Sequence, residues 1–226
     1  MDINKALKFT MEDKDWVKKL LIAVVISFLS FFVIPAFLLG GYGIRIIRQV
    51  MNGQWDGLPE WDDWGGLLKD GFFVAAAEFV YTLPFIILIF IAAAATGGLA
   101  SLSDGDAAGI FAGGGALLMF CLIILMVIVL LFLMPALTIQ YAIKNDFGAL
   151  FRFSEITEII RNNMSDILIV FAVMIGASIV LGLVASIPIL GWIVAIVAGP
   201  YISFVGSHLF GQIGAKVLGN KAGGAL

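Results

Sequence analysis

Ionisable groups stranded in apolar sequence are the residues here with the means to do chemistry, and they are few. Glu78 is the only acidic residue inside a membrane-length apolar segment. Such carboxyls are costly in lipid and often mark ion or proton paths. At a depth of about 10 Å from the segment edge, Glu78 can instead snorkel outward or pair with Arg45 or Lys69, and both readings stand. His208, the only histidine, follows Ser207 and precedes Gln212 by one helical turn. A lone imidazole there bonds a neighbouring helix more readily than a metal, which needs several ligands. Glu78, Ser207, His208 and Gln212 are therefore the candidate residues of an ion or polar path.

The other chemical groupings fall short. Glu60, Asp62 and Asp63 can hold a cation, but their spacing fits the charged start of a helix better. The single cysteine, Cys121, lies in an apolar run without a partner for a disulfide. One His and one Cys leave zinc, haem and Cys–His chemistry without their usual components. Phosphate-loop, dinucleotide-turn and nucleophile-elbow patterns are all missing, and Gly113, Gly114 and Gly115 open an apolar helix instead. The expectation is a protein with no catalytic residue, no cofactor and no metal site, and not an enzyme.

Positioning these residues falls to long greasy segments. The chain has 226 residues, 62% hydrophobic and 13% charged, where soluble domains have roughly half and a quarter. That marks a polytopic membrane protein. Four stretches, 72–95, 116–140, 167–186 and 191–215, are each about 20 residues or longer, enough at 1.5 Å per residue for a hydrocarbon core of roughly 30 Å. The last two are split at Pro188 and Gly191, which relax and interrupt the helix. The run 20–44 is either one tilted span or a hairpin folding back near Pro35.

Charge bears on that choice. With a single crossing, Lys5, Lys8, Lys14, Lys18 and Lys19 lie opposite the other basic residues. With a hairpin, all thirteen Lys and Arg fall on one face, which the positive-inside rule makes cytoplasmic together with both termini. The hairpin is favoured, although arms of about 20 Å make it re-entrant. Lysines before an apolar run also suggest a removable leader, but the acidic Glu12, Asp13 and Asp15 and the length of the run fit a retained N-terminus.

Amphipathic pieces complete the architecture. Residues 1–19 read as an interfacial segment, as do a helix starting at Pro59 whose Trp61, Trp64 and Leu68 share a face, and a helix over 147–164 with Leu150, Phe153, Ile156, Ile160 and Met164 at helical spacing. Trp16, Trp61 and Trp64 are the expected interfacial anchors. The Ala-Gly-rich 96–115 reads as an external loop. Gly191, Ala195, Gly199, Ser203, Ser207, Gly211 and Ala215 set a small residue at every fourth position of the last segment, a face for close helix packing. Ser178, Gly182 and Ser186 form a companion stripe that points to the preceding helix as its partner. Pro35 with Tyr42, and Pro135 with Tyr141, hint at an internal duplication.

Asp15-Trp16, Gly41-Tyr42 with Arg45 and Arg48, Leu58-Pro59-Glu60-Trp61-Asp62-Asp63-Trp64 and Gly71 together resemble a family of prokaryotic integral-membrane proteins known as domain of unknown function 4013. The likeness covers most of the chain and is most specific at 58–64. It implies an archaeal or bacterial membrane protein and supplies no activity. The expectation is thus an all-α transmembrane helix bundle, one integral-membrane domain over 1–226. It has four full crossings plus the N-terminal hairpin or span, and cytoplasmic amphipathic interfacial helices. Its partners are membrane lipids and either further copies of itself or other membrane subunits, not nucleic acid. Its role is structural or in assembly; the alternative is a small channel or transporter.

Overall fold

The structure, a computed structural model, describes residues 1–187 and 190–223, with the backbone alone for 190, 192, 193, 195 and 220–223. Pro188 and Ile189 of the expected turn, and the side chain of Ala195, lie outside the described residues. All regular elements among the described residues are helical: α1 Ile3–Lys8, α2 Trp16–Leu29, α3 Ile34–Met51, α4 Trp64–Ser101, α5 Asp106–Lys144, α6 Phe153–Asn162, α7 Met164–Ala185 and α8 Leu190–Gly223. Three of them, α4, α5 and α7, are long and apolar enough to cross a membrane. The chain divides into two compact units, Met1–Ala75 with Pro135–Leu226, and Ala76–Met134.

In the first unit the run 20–44 breaks into two helices. A short 3-10 turn, Ser30–Phe32, and Val33 at φ 66° join α2 to α3. Pro35 sits in the first turn of α3, where its missing N–H costs nothing. Ser27 and Ser30 fold their hydroxyls back onto the Ala23 and Ile26 carbonyls, each at 2.8 Å, so the turn carries few unsatisfied polar groups. Leu20, Ala23 and Ile26 then share a core with Tyr42, Ile46, Val50 and Phe204.

Helix α3 is approached closely from two sides. A Cβ on Gly41 would overlap the backbone of Leu67, and one on Gly71 would overlap that of Phe37, so α3 and α4 touch main chain to main chain. On α8, a Cβ at Gly211 would lie 2.7 Å from Val50 Cβ and 3.0 Å from the Ile47 carbonyl oxygen. Gly211 and Gly214 thus bring α8 onto α3, while Gly191 and Gly206 meet α7, the preceding helix. Gly182 of the expected companion stripe faces open space, and Ser178 and Ser186 are exposed and bond within α7. Spacing on one helix defines a small-residue face but not the neighbour that fills it.

Several local expectations are corrected. No helix starts at Pro59: residues 58–63 are an irregular strap, and α4 begins at Trp64. Asp63 is the effective cap, its Oδ1 accepting from the Gly66 N–H at 2.9 Å. The 147–164 stretch is a 3-10 turn, Phe147–Phe151, and then α6. The break at Arg152 resets the helical phase, so Ile156, Ile159 and Asn163 are buried while Phe153 and Met164 are exposed. Within residues 1–19, α1 packs on α8 and Phe9 is buried.

The second unit is a helical hairpin. The expected loop 96–115 is helical except for a turn at 102–105, where Gly105 takes φ 57°. One of its glycines serves contact: Gly115 sits against the Thr96 side chain, whose hydroxyl bonds the Ala92 carbonyl at 2.7 Å. The complete α4 and α5, 38 and 39 residues, measure about 57 and 58 Å.

Candidate functional site

The densest polar constellation is built by the strap. Gly53 and Gly57, both at positive φ, turn the chain after α3 so that 58–63 runs back across it. Trp61 lies flat on Tyr42, ring centroids 3.8 Å apart and nearly parallel, and its indole N–H donates to the Lys19 carbonyl at 3.2 Å. The Tyr42 hydroxyl donates to the Pro59 carbonyl at 2.7 Å. Beneath them the Lys19 ammonium, 5% exposed, donates to Asp13 Oδ2 and the Leu58 carbonyl at 2.8 Å each and pairs with Glu60 Oε1 at 2.6 Å.

Asp13 gathers further donors, the Leu58 N–H at 3.0 Å and the Asp15 N–H at 2.7 Å. Burial alone raises the Asp13 carboxyl, but the Lys19 ammonium and these two N–H groups outweigh it and hold it below the usual carboxylate range. Lys19 is the mirror case. Its burial lowers it, and Asp13 and Glu60 more than compensate, so it stays above the ordinary lysine value. The expected acidic cluster is therefore fully employed. Glu60 serves Lys19, Asp62 pairs with Arg45 at 2.6 Å, and Asp63 caps α4.

A second constellation joins α3, α4 and α5. Asp70, almost fully buried, accepts from Arg48 and, at 2.7 Å, from the Tyr141 hydroxyl. Arg48 also donates to Asn145 Oδ1 at 2.8 Å and lies 5.3 Å from the Tyr141 ring centroid. Sequence reasoning missed Asp70 because it falls at the edge of a crossing, where a carboxylate looks solvated. The usable signal was the pair Tyr42 and Tyr141, each following an internal proline, each fully buried and each donating its hydroxyl.

The proposed path residues do not form one cluster. His208 is fully buried on α8, with Nε2 3.2 Å from the Trp55 carbonyl and Nδ1 3.2 Å from Gln212 Nε2. A carbonyl can only accept and an amide N–H can only donate, so the ring is the neutral tautomer with its proton on Nε2. Gln212 binds the Asp2 backbone twice, Oε1 accepting from its N–H at 2.6 Å and Nε2 donating to its carbonyl at 2.9 Å. Phe9 rests 4.5 Å from the imidazole. His208 and Gln212 thus clasp the N-terminal segment and the loop after α3. Ser207 bonds the Ser203 carbonyl and faces Gly43. Glu78 belongs to the second unit, where its carbonyl accepts from Thr82 and its carboxyl has no bond among the described residues.

The packing residues and anchors divide similarly. Gly211 meets α3 and Gly191 meets the end of α7, while Gly199 and Ser203 are exposed and Ala215 is half-buried. Trp64 is exposed and Trp16 packs on the core. Trp61 is buried, because the strap turns it inward onto Tyr42. Among the described residues no group of three His, Cys, Asp or Glu side chains is placed to hold a metal ion.

A family model described as "Protein of unknown function (DUF4013)" matches residues 25–190. Neither the curated proteins nor the solved structures contain a match to the chain.

Proposed function

The chain belongs to the DUF4013 family, and from its own residues we propose that it is a non-enzymatic membrane component whose role is structural or in assembly. The observation that carries this is how the polar groups of α8 and the strap are employed: both ring nitrogens of His208 and the whole amide of Gln212 are consumed in holding Trp55 and Asp2, while Thr10 Oγ1, Gln140 Oε1 and Asn163 Oδ1 are the buried side-chain atoms left without a partner among the described residues. Lys19, Asp13 and Glu60 bond one another in the same way. A conducting path needs polar groups turned toward a wet lumen, and a catalytic centre needs some left free to react. Here they bind the chain to itself.

In this reading α8 is the fourth crossing and the α2–α3 hairpin is re-entrant. Both termini and the strap then lie on the cytoplasmic side with the lysines and arginines. Partners are lipids and further copies of this chain or other membrane subunits. Gly97, Gly98, Gly109, Gly113 and Gly114 support this, since a Cβ at any of them would meet nothing, leaving room for a neighbouring helix to approach.

The experiment is reconstitution. Protein in liposomes should pass no protons or ions above empty vesicles, and Glu78→Gln should change nothing. Flux abolished by that substitution would make this a transporter.

A further inference from the structure

The outer face of the α2–α3 hairpin carries a groove of about 760 Å³ that none of the polar constellations uses. We propose that it is a binding site for a single anionic phospholipid, with the phosphate at Lys14 and Lys18 and one acyl chain along the hairpin. The inference rests on the reading above that this hairpin dips into one leaflet.

Charge sets the headgroup end. Lys14 and Lys18 line the mouth, both exposed, and among the described residues neither forms an ion pair, whereas Lys5 and Lys19 are both paired. Asp15 also lines the mouth and opposes an anion, leaving one net positive charge there. Trp64 stands beside them, exposed, as suits a ring at headgroup level.

Length sets the chain end. From Lys18 to Leu29 the groove follows α2 for about 16 Å, close to half of a hydrocarbon core of roughly 30 Å. Beyond it the hairpin tip presents Phe31 and Phe32, 87% and 68% exposed, which places that end in hydrocarbon.

The lining decides between a lipid and another helix. Leu21, Val25, Leu29, Pro35 and Leu38 are among its lining, and no Gly, Ala, Ser or Thr lines the groove. Helices associate in lipid by bringing backbones together over small residues. Branched side chains with gaps between them take a flexible acyl chain instead.

The test uses the full chain in nanodiscs of equimolar phosphatidylglycerol and phosphatidylcholine, released into native mass spectrometry. One retained phosphatidylglycerol is expected, preferred about fivefold over phosphatidylcholine from one net charge near the surface. Lys14→Gln with Lys18→Gln leaves Asp15 alone at the mouth and should abolish or reverse the preference for phosphatidylglycerol. Val25→Trp should fill the groove and remove the adduct, with thermal unfolding confirming that both variants fold. Equal retention of the two lipids by the wild type, an adduct indifferent to both variants, or a protein chain lost on Val25→Trp in place of lipid would each overturn the site. Phe31→Cys on a Cys121→Ser background, carrying a polarity-sensitive dye, reports hairpin insertion separately. An aqueous signal removes the hairpin and this site together. Ion flux in liposomes would remove only the structural role, leaving the lipid adduct in place.

Discussion

The two units of this protein meet the membrane with opposite economies. The first binds distant segments through side chains: Lys19 to the strap, Asp70 to Arg48 and Tyr141, Gln212 to Asp2. In the second, Ala77, Ala92, Gly115 and Leu133 are the buried residues among those described, and nearly every other side chain is apolar. Lipid supplies little hydrophobic drive for helices to associate, so a greasy hairpin stands on its own backbone bonds and a few close contacts. The difference teaches that ionisable groups in a hydrophobic chain are a means of fixing tertiary structure before they are evidence of transport.

The strongest way to break this contrast is Lys19→Met. It leaves Asp13, half-buried, without its cation and frees the Leu58 carbonyl and Glu60. Removing one member of a buried pair costs about 3–5 kcal/mol. Unfolding by SDS titration, read by tryptophan fluorescence, should show that loss, while Thr96→Ala in the second unit should cost less than about 1 kcal/mol. Equal effects would mean that the strap contributes no more than the greasy hairpin.

Glycines sharpen it next. A Cβ on Gly71 would meet the Phe37 carbonyl carbon at 2.7 Å and the Gly41 nitrogen at 2.9 Å, backbone atoms that cannot rotate away. Gly71→Ala should therefore destabilise by about 3 kcal/mol, the upper end of ordinary overpacking. At Gly113 a Cβ would meet nothing, and the same change should be neutral or stabilise by up to about 1 kcal/mol through helix propensity. The same titration compares the two.

How much of this was legible follows the same division. Helical spans declare themselves by length and hydropathy, so α4, α5 and α7 were readable, and charge placement favoured a break in the run 20–44. Local composition misled where tertiary contact prevailed. Pro59 with three acidic neighbours reads as a helix start, yet Tyr42, Arg45 and Lys19 bind Pro59, Asp62 and Glu60 one by one and the backbone there stays irregular. Ala-Gly-rich 96–115 reads as a loop because glycine is costly in a helix exposed to water. Between closely packed helices the missing side chain becomes the reason for contact, as at Gly115. His208 and Gln212 were singled out as polar residues in an apolar helix, but their partners Trp55 and Asp2 lie 153 and 210 residues away in sequence.

The smallest expected effect is in pH, and it tests the clamp without changing its shape. Asp13 is held below the ordinary carboxyl value, so the stability it contributes is fully present above the unfolded value of about 3.9 and is lost as pH falls through the folded one. Lys19 is held above its ordinary value, so its contribution is present below the unfolded lysine value of about 10.4 and fades only as pH rises past the folded one. Between those limits the clamp is at full strength. Protonating Asp13 still leaves Lys19 bonded to Glu60 and the Leu58 carbonyl. For that reason Asp13→Asn should cost only about 2 kcal/mol near neutrality, the usual worth of hydrogen bonds to a charged group. SDS titrations of wild type and Asp13→Asn in parallel should differ by that amount at pH 7 and converge as pH falls well below 3.9. The second unit has no paired charge among its described residues, so if it unfolds independently of the clamp, unfolding followed there should show no difference between wild type and Asp13→Asn at any pH. A wild-type advantage that persisted at the lowest pH would mean that Asp13 acts through shape alone, and the electrostatic account of the strap would fall.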